Sequence, residues 1–162
     1  FRDKLYAAFK IIVGKTNDEL ISFIDEVRAE TREQPYEAIA FPRGVNGLAK
    51  YSHPTEIYGK GTPIHVRGSL LYNHYIKKHK VQHKYPFIQE GEKIKYMYLK
   101  VPNPLHEDAI SFFGDLPSEF GVEKYVNYQK QFEKCFLDPL KNVLNCVGWE
   151  HNKRVKIGAF FE

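Results

Sequence analysis

Several stretches of this 162-residue chain bring together residue types that could do chemistry, and spacing decides how far each goes. Gly59-Lys60-Gly61-Thr62 has the outline of a phosphate-binding loop. The hydrolytic version needs an upstream glycine, and Pro54 stands in its place. No strand leads directly into a helix there either, which excludes nucleotide hydrolysis. Two readings stay open: a glycine loop whose amides and Lys60 suit a phosphate backbone, or a plain surface turn. His79 and His83 stand four apart, as metal ligands on a helix would. No Glu lies between them, no Cys is near, and cationic neighbours oppose a metal ion, so no metal site is expected. They read instead as exposed histidines on a basic surface. No serine sits in a nucleophile elbow, and no carboxylate pair stands in an apolar setting. The expectation is therefore no catalytic residue and no cofactor bound by this chain.

What remains is charge. The formal net charge is only +4, but it is unevenly distributed. Arg43 to Lys84 holds eight Lys or Arg against one acid, Glu56, whereas Lys15 to Pro42 holds three bases against seven acids. A positive segment beside a negative one is the footprint of a surface for polyanions. Within Arg43–Asn73, Arg43, Lys50, Lys60 and Arg67 supply charge for phosphates. Asn46 can reach phosphate, sugar or a base edge, and Gly44 is among five glycines that let the main chain approach a polymer closely. Such contacts hold a protein on a duplex without reading sequence.

The elements that must carry these residues read as an α+β domain, helices packed with a small mixed or antiparallel sheet. Residues 2–13 form a helix with Leu5, Phe9, Ile12 and Val13 inward, closed by Gly14 as the left-handed residue. Thr16 and Glu19 stand at capping-box spacing before a second helix, which must end before Pro35. Tyr36–Phe41 reads as a strand leading into a turn over residues 42–47, and residues 52–63 as an extended loop. Ile64–Tyr72 fits a strand or a helix start, and Ser69–Lys80 leans helical. Lys93–Val101 is the clearest strand. Residues 102–121 read as loops with an apolar patch at Ile110–Phe113. A helical stripe follows through Phe132, Phe136, Leu140 and Leu144, interrupted where Asp138 caps and Pro139 begins a new helix. Cys135 and Cys146 match no metal spacing and read as buried free thiols. No apolar run reaches the ~20 residues of a membrane span, so the expectation is a soluble protein with no membrane partner. The chain opens on Phe1, which fits a piece of something longer.

Three collinear stretches carry a resemblance: Asn46-Gly47-Leu48-Ala49-Lys50-Tyr51, Thr62-Pro63-Ile64-His65-Val66-Arg67-Gly68, and Leu71-Tyr72-Asn73. Glu90-Gly91-Glu92-Lys93 and Phe132-Glu133-Lys134-Cys135-Phe136 with Pro139-Leu140 follow in order. Together they resemble the C-terminal thumb of the replicative family B DNA polymerases of T-even-like phages, over roughly residues 10–145. The resemblance implies a thumb over residues 1–150, with Lys50, Tyr51, His65, Arg67 and Lys134 lining the surface that holds primer–template duplex. Asp108 and Asp138 stand where that family tends to carry lysines, and Lys141, seven residues after Lys134, is placed to compensate. It further implies a palm and exonuclease portion elsewhere, holding the catalytic Mg2+, and work in the cytoplasm of an infected bacterial host.

Residues 151–162 form a tail in which Ile157, Phe160 and Phe161 have the spacing of a sliding-clamp-binding peptide, although Arg154 replaces the usual Gln. A core-packed terminal strand fits the same residues. Three alternatives stand beside the thumb: an autonomous nucleic-acid-binding protein, a clamp-binding adaptor, and a small enzyme of a kind the motifs do not reveal.

Overall fold

The computed structural model describes residues 1–153. Along the chain run α1 (Arg2–Gly14), α2 (Asn17–Glu33), α3 (Tyr36–Ile39), β1 (Phe41–Gly44), α4 (Leu48–Tyr51), α5 (Ile64–Lys78), β2 (Lys93–Tyr98), β3 (Ala109–Phe112), α6 (Tyr128–Phe132) and α7 (Asp138–Val147). The mixed helix and strand content agrees with the α+β expectation. The described residues group into two compact units. One joins Phe1–Gln34 to the residues from Gln129 onward, and the other is Pro35–Tyr128.

The first unit is helical. Thr16 Oγ1 accepts from the Glu19 amide at 3.3 Å, and the Thr16 amide donates back to the Glu19 carboxylate at 3.0 Å, so the capping box forms. Gln34 leaves the helix extended before Pro35, as the proline demands. Ala8, Leu20, Ile24, Val27, Phe132, Phe136, Leu140 and Leu144 make the core. Two expectations for α1 fail. Gly14 is not left-handed, since Lys15 ends the helix in an extended conformation. Val13 is 89% exposed, because it lies about 140° round the helix from fully buried Ala8.

Asp138 does not cap a new helix. Its backbone is helical (φ −62°, ψ −46°), and its amide donates to the Glu133 carbonyl five residues back. Glu133–Leu137 is thus a single π turn joining α6 to α7 without a break. Pro139 has no N–H and crowds the carbonyl four residues behind it, so the widened turn is what lets the helix continue through it. Cys135 is buried, and burial pushes its thiol up to about 11. Cys146 is exposed, contrary to expectation, because it sits about 200° round α7 from buried Leu144.

The second unit is a three-stranded antiparallel sheet in the order β1-β2-β3, with Phe41 opposite Tyr96 and Met97 opposite Ile110. The face bearing Ser111 receives α5, whose Gly68 meets it at close range. The opposite face carries Phe112, whose ring is 5.8 Å from that of Tyr36 on α3. The expected strand at 36–41 is instead one helical turn followed by β1. Ile39 and Ala40 are consecutive and both buried, which a strand with one covered face does not allow. Pro42 is tolerated because β1 is an edge strand. The patch at 110–113 is β3, with all four residues of Ala109–Phe112 buried. Ile64–Lys78 is helical throughout, which settles the earlier ambiguity.

Candidate nucleic-acid interface

Eight of the predicted contact residues, Arg43 through Arg67, belong to the sheet-bearing unit, and Lys134 and Lys141 belong to the helical one. Edge strand β1 presents Arg43 to solvent with its guanidinium 5.0 Å from the Phe41 ring centre, a cation–π distance. Phe41 in turn lies 5.7 Å from Tyr96, and His65, in the first turn of α5, lies 6.4 Å from the same ring. Arg43, Phe41, Tyr96 and His65 therefore form one aromatic and cationic surface.

Burial, followed by the positive charge of Arg43, holds the His65 imidazole below its ordinary pKa. His74 and His151 are lowered too, each chiefly by burial. A histidine whose folded pKa is depressed binds fewer protons in the native state than in the unfolded one, so stability rises with pH across that window. The contribution is complete above the ordinary value of about 6.5 and is lost as pH falls below it. Melting temperature is therefore expected to drop between pH 8 and pH 5.5. His65→Gln is expected to flatten part of that drop, and an unchanged profile would refute the assignment.

Gly47, at φ +94°, opens the one-turn helix α4, and the amides of Gly47 and Leu48 both donate to the Glu90 carboxylate, the latter at 2.9 Å. Buried Val45 is held by the same segment: its amide donates to the Glu92 carbonyl at 2.9 Å and its carbonyl accepts from Gly91 at 2.8 Å. Two stretches distant in sequence, Asn46–Tyr51 and Glu90–Lys93, thus form one structural piece that fixes Gly44, Asn46 and Lys50. Lys50 is exposed, with its ammonium 5.1 Å from the Tyr51 ring centre. The Tyr51 carbonyl accepts from the Gly59 amide at 2.9 Å, and Thr62 Oγ1 closes the loop by donating to the Gly59 carbonyl at 2.6 Å. Exposed Lys60 rides on that loop, so Lys50 and Lys60 sit on linked backbone.

Arg67 is differently placed. Its side chain is only 19% exposed, 2.7 Å from Asp108 and 3.2 Å from Glu107. The Tyr58 hydroxyl donates to Glu107 at 2.9 Å, and the Tyr58 ring lies 5.8 Å from the guanidinium. Burial opposes the charge on Arg67, but hydrogen bonds to Asp108 and Tyr58 outweigh it and hold the group above its ordinary pKa. The phenol of Tyr58 is raised, by burial first and by Glu107 second. The Arg67 charge is therefore matched from within. In the other unit, Asp138 lies 3.2 Å from Lys134 and 3.9 Å from Lys141, so one carboxylate meets both predicted cations.

Sequence reading missed Glu90, which fixes the Gly47 loop, and the partners Glu107 and Asp108 that take up Arg67. Its signal for Glu90 was the Glu90-Gly91 pair, noted only as a matching stretch. His79 and His83 do not share a helix, since α5 ends at Lys78, and His79 packs 5.9 Å from the Phe120 ring. Among the described residues, no three His, Cys, Asp or Glu side chains gather as metal ligands would, and no helix is long and apolar enough to cross a membrane. Ile157, Phe160 and Phe161 lie outside the described residues.

No family model matches the chain. Over most of its length, however, the chain is weakly homologous to part of the DNA-directed DNA polymerases of phages. The polymerase of Enterobacteria phage T4 is 23% identical over 164 residues, covering 99% of this chain and 18% of the relative. That of Escherichia phage RB69 is 28% identical over 136 residues, covering 81% of this chain and 14% of the relative. The chain thus spans less than a fifth of the length of these curated relatives.

Proposed function

We propose that this chain is the duplex-gripping thumb portion of a phage DNA-directed DNA polymerase, and that it contributes binding while a separate palm carries the chemistry. The observation that carries the reading is similarity to such polymerases along nearly the whole chain. The exposed cations Arg43, Lys50 and Lys60, set on backbone pinned by Glu90 and Tyr51, supply phosphate contacts. Asn46, Tyr51 and His65 flank them. Arg67 acts mainly through its hold on Glu107 and Asp108, and Lys134 and Lys141 add charge from the helical unit. The palm and exonuclease portion brings the Mg2+ sites, and the tail through Ile157, Phe160 and Phe161 tethers the assembly to a sliding clamp in the cytoplasm of the infected host.

Fluorescence anisotropy of a primer–template duplex titrated with the chain across a salt series tests this. Wild type is expected to bind with steep salt dependence and no sequence preference. Arg43→Ala/Lys50→Ala is expected to reduce the slope of log K against log salt by about two units, about 0.9 per lost phosphate contact. A double variant with the wild-type slope would remove the surface from consideration.

A further inference from the structure

The far end of α5 holds a second concentration of positive charge, and none of the contacts above uses it. Lys77, Lys78 and Lys80 are exposed at the last turn of α5 and just beyond it, and Lys84 follows in the next turn of chain. No acid occurs in the sequence between Glu56 and Glu90. Lys84 meets Glu119 at 3.0 Å. Among the described residues, Lys77, Lys78 and Lys80 have no acidic partner, although the Lys78 ammonium lies 5.3 Å from the Tyr75 ring centre. The negative end of the α5 dipole accounts for a cation or two in its last turn. It does not account for Lys80, which lies past the helix in a left-handed conformation (φ +56°). Glycine or asparagine would hold that conformation at lower cost, so backbone geometry does not select lysine there. Buried Val81, whose amide donates to the Ile76 carbonyl at 3.1 Å, fixes the turn and holds the cluster against the end of the helix.

We propose that Lys77, Lys78 and Lys80 form a second site for the phosphates of a nucleic-acid backbone, separate from the surface around Arg43, Lys50 and Lys60. The proposal rests on the reading that the unit binds duplex DNA. With 15 residues rising 1.5 Å each, α5 sets its two ends about 20 Å apart. That span matches about six base-pair steps at 3.4 Å per step along one strand. A duplex laid along α5 meets both cationic ends at once, so the second site extends the footprint instead of competing for the first.

The test compares the full chain with Lys77→Gln/Lys78→Gln/Lys80→Gln, with the corresponding triple Arg variant, and with Arg43→Ala/Lys50→Ala, each against a 20-base-pair duplex in a salt series. The Gln variant is expected to lose two to three units of salt slope, roughly 0.9 per contact, with the Arg variant restoring them. Combining it with Arg43→Ala/Lys50→Ala should add the two losses. A Gln variant that keeps the wild-type slope overturns the second site. So does a variant that binds duplex normally but loses binding to polyglutamate, because the cluster would then serve an acidic protein. Loss of slope in the Gln variant alone, with Arg43→Ala/Lys50→Ala unchanged, would support this site while removing the first.

Discussion

Replacing Gly68 by alanine is expected to lower the melting temperature by roughly 5–10 °C, even though alanine is the better helix former. A methyl built on Gly68 would stand 2.5 Å from Ser111 Oγ, 2.7 Å from the Ser111 amide nitrogen and 3.1 Å from the Ile110 carbonyl carbon. The serine hydroxyl could rotate away, but the amide nitrogen and carbonyl carbon belong to β3 and cannot move without disturbing the sheet. Overpacking of this kind costs about 3 kcal/mol or more, against about 1 kcal/mol gained in helix propensity. The net loss of about 2–3 kcal/mol corresponds to the stated shift for a chain of this size. Moving α5 off the sheet would also break the bond from Ser111 Oγ to the His65 carbonyl, now 2.9 Å, at the helix end that carries His65 and Arg67. Calorimetry of Gly68→Ala checks the stability, and an unchanged transition would mean that helix and strand are not in such contact.

Asn73→Ala should be comparably damaging for a different reason. Asn73 behaves as one rung of a sheet: its amide donates to the Ile88 carbonyl at 2.9 Å, and its Oδ1 accepts from the Ile88 amide at 2.8 Å. Ile88 is only 2% exposed, so water cannot replace the lost partner. Two stranded backbone groups at about 1–3 kcal/mol each give an expected loss of about 2–4 kcal/mol. Asn73→Asp separates the two bonds. An ionised carboxylate keeps the bond from the Ile88 amide but turns a second acceptor on the Ile88 carbonyl. That variant should be weak at pH 7 and should recover as pH falls below about 4, where a protonated carboxyl can donate again. The sign follows from linkage: a carboxyl held neutral by the fold has a raised pKa, and its stability is present below the unfolded value and lost above it. Melting curves of both variants at pH 7 and pH 4 separate the two bonds. Equal losses at both pH values for Asn73→Asp would contradict the geometry.

These two positions also show where the sequence was informative. Thr16 and Glu19 announced the second helix because a capping box is local, and β2 announced itself because one residue in two turns inward. Strand β3 gave no such alternation: all four of its residues are buried, and a strand covered on both faces reads as a short apolar run. The turn of α3 was misread because one helical turn is too short to show its period. For the candidate interface, the concentration of cations from Arg43 to Lys84 was plain. Which of those charges face solvent was not, since Arg67 meets a carboxylate forty residues away along the chain. Leu71-Tyr72-Asn73 entered as a mark of resemblance, yet its side chains serve the core and the tie to Ile88.

The π turn at Glu133–Leu137 bears on which lengths of this chain are permissible. Phe132, Phe136, Leu140 and Leu144 recur every four residues, a step that over-rotates an α-helix by about 40° each time. The wider turn takes back part of that excess, so that all four side chains reach the same core. Deleting one residue between Glu133 and Leu137 would restore an ordinary helix and rotate everything after it by about 100°. Leu140 and Leu144 would swing outward while Lys141 and Asn145 turned in. A deletion that any surface loop would absorb is therefore forbidden here, and among functional homologues this segment should vary in its letters but not in its length.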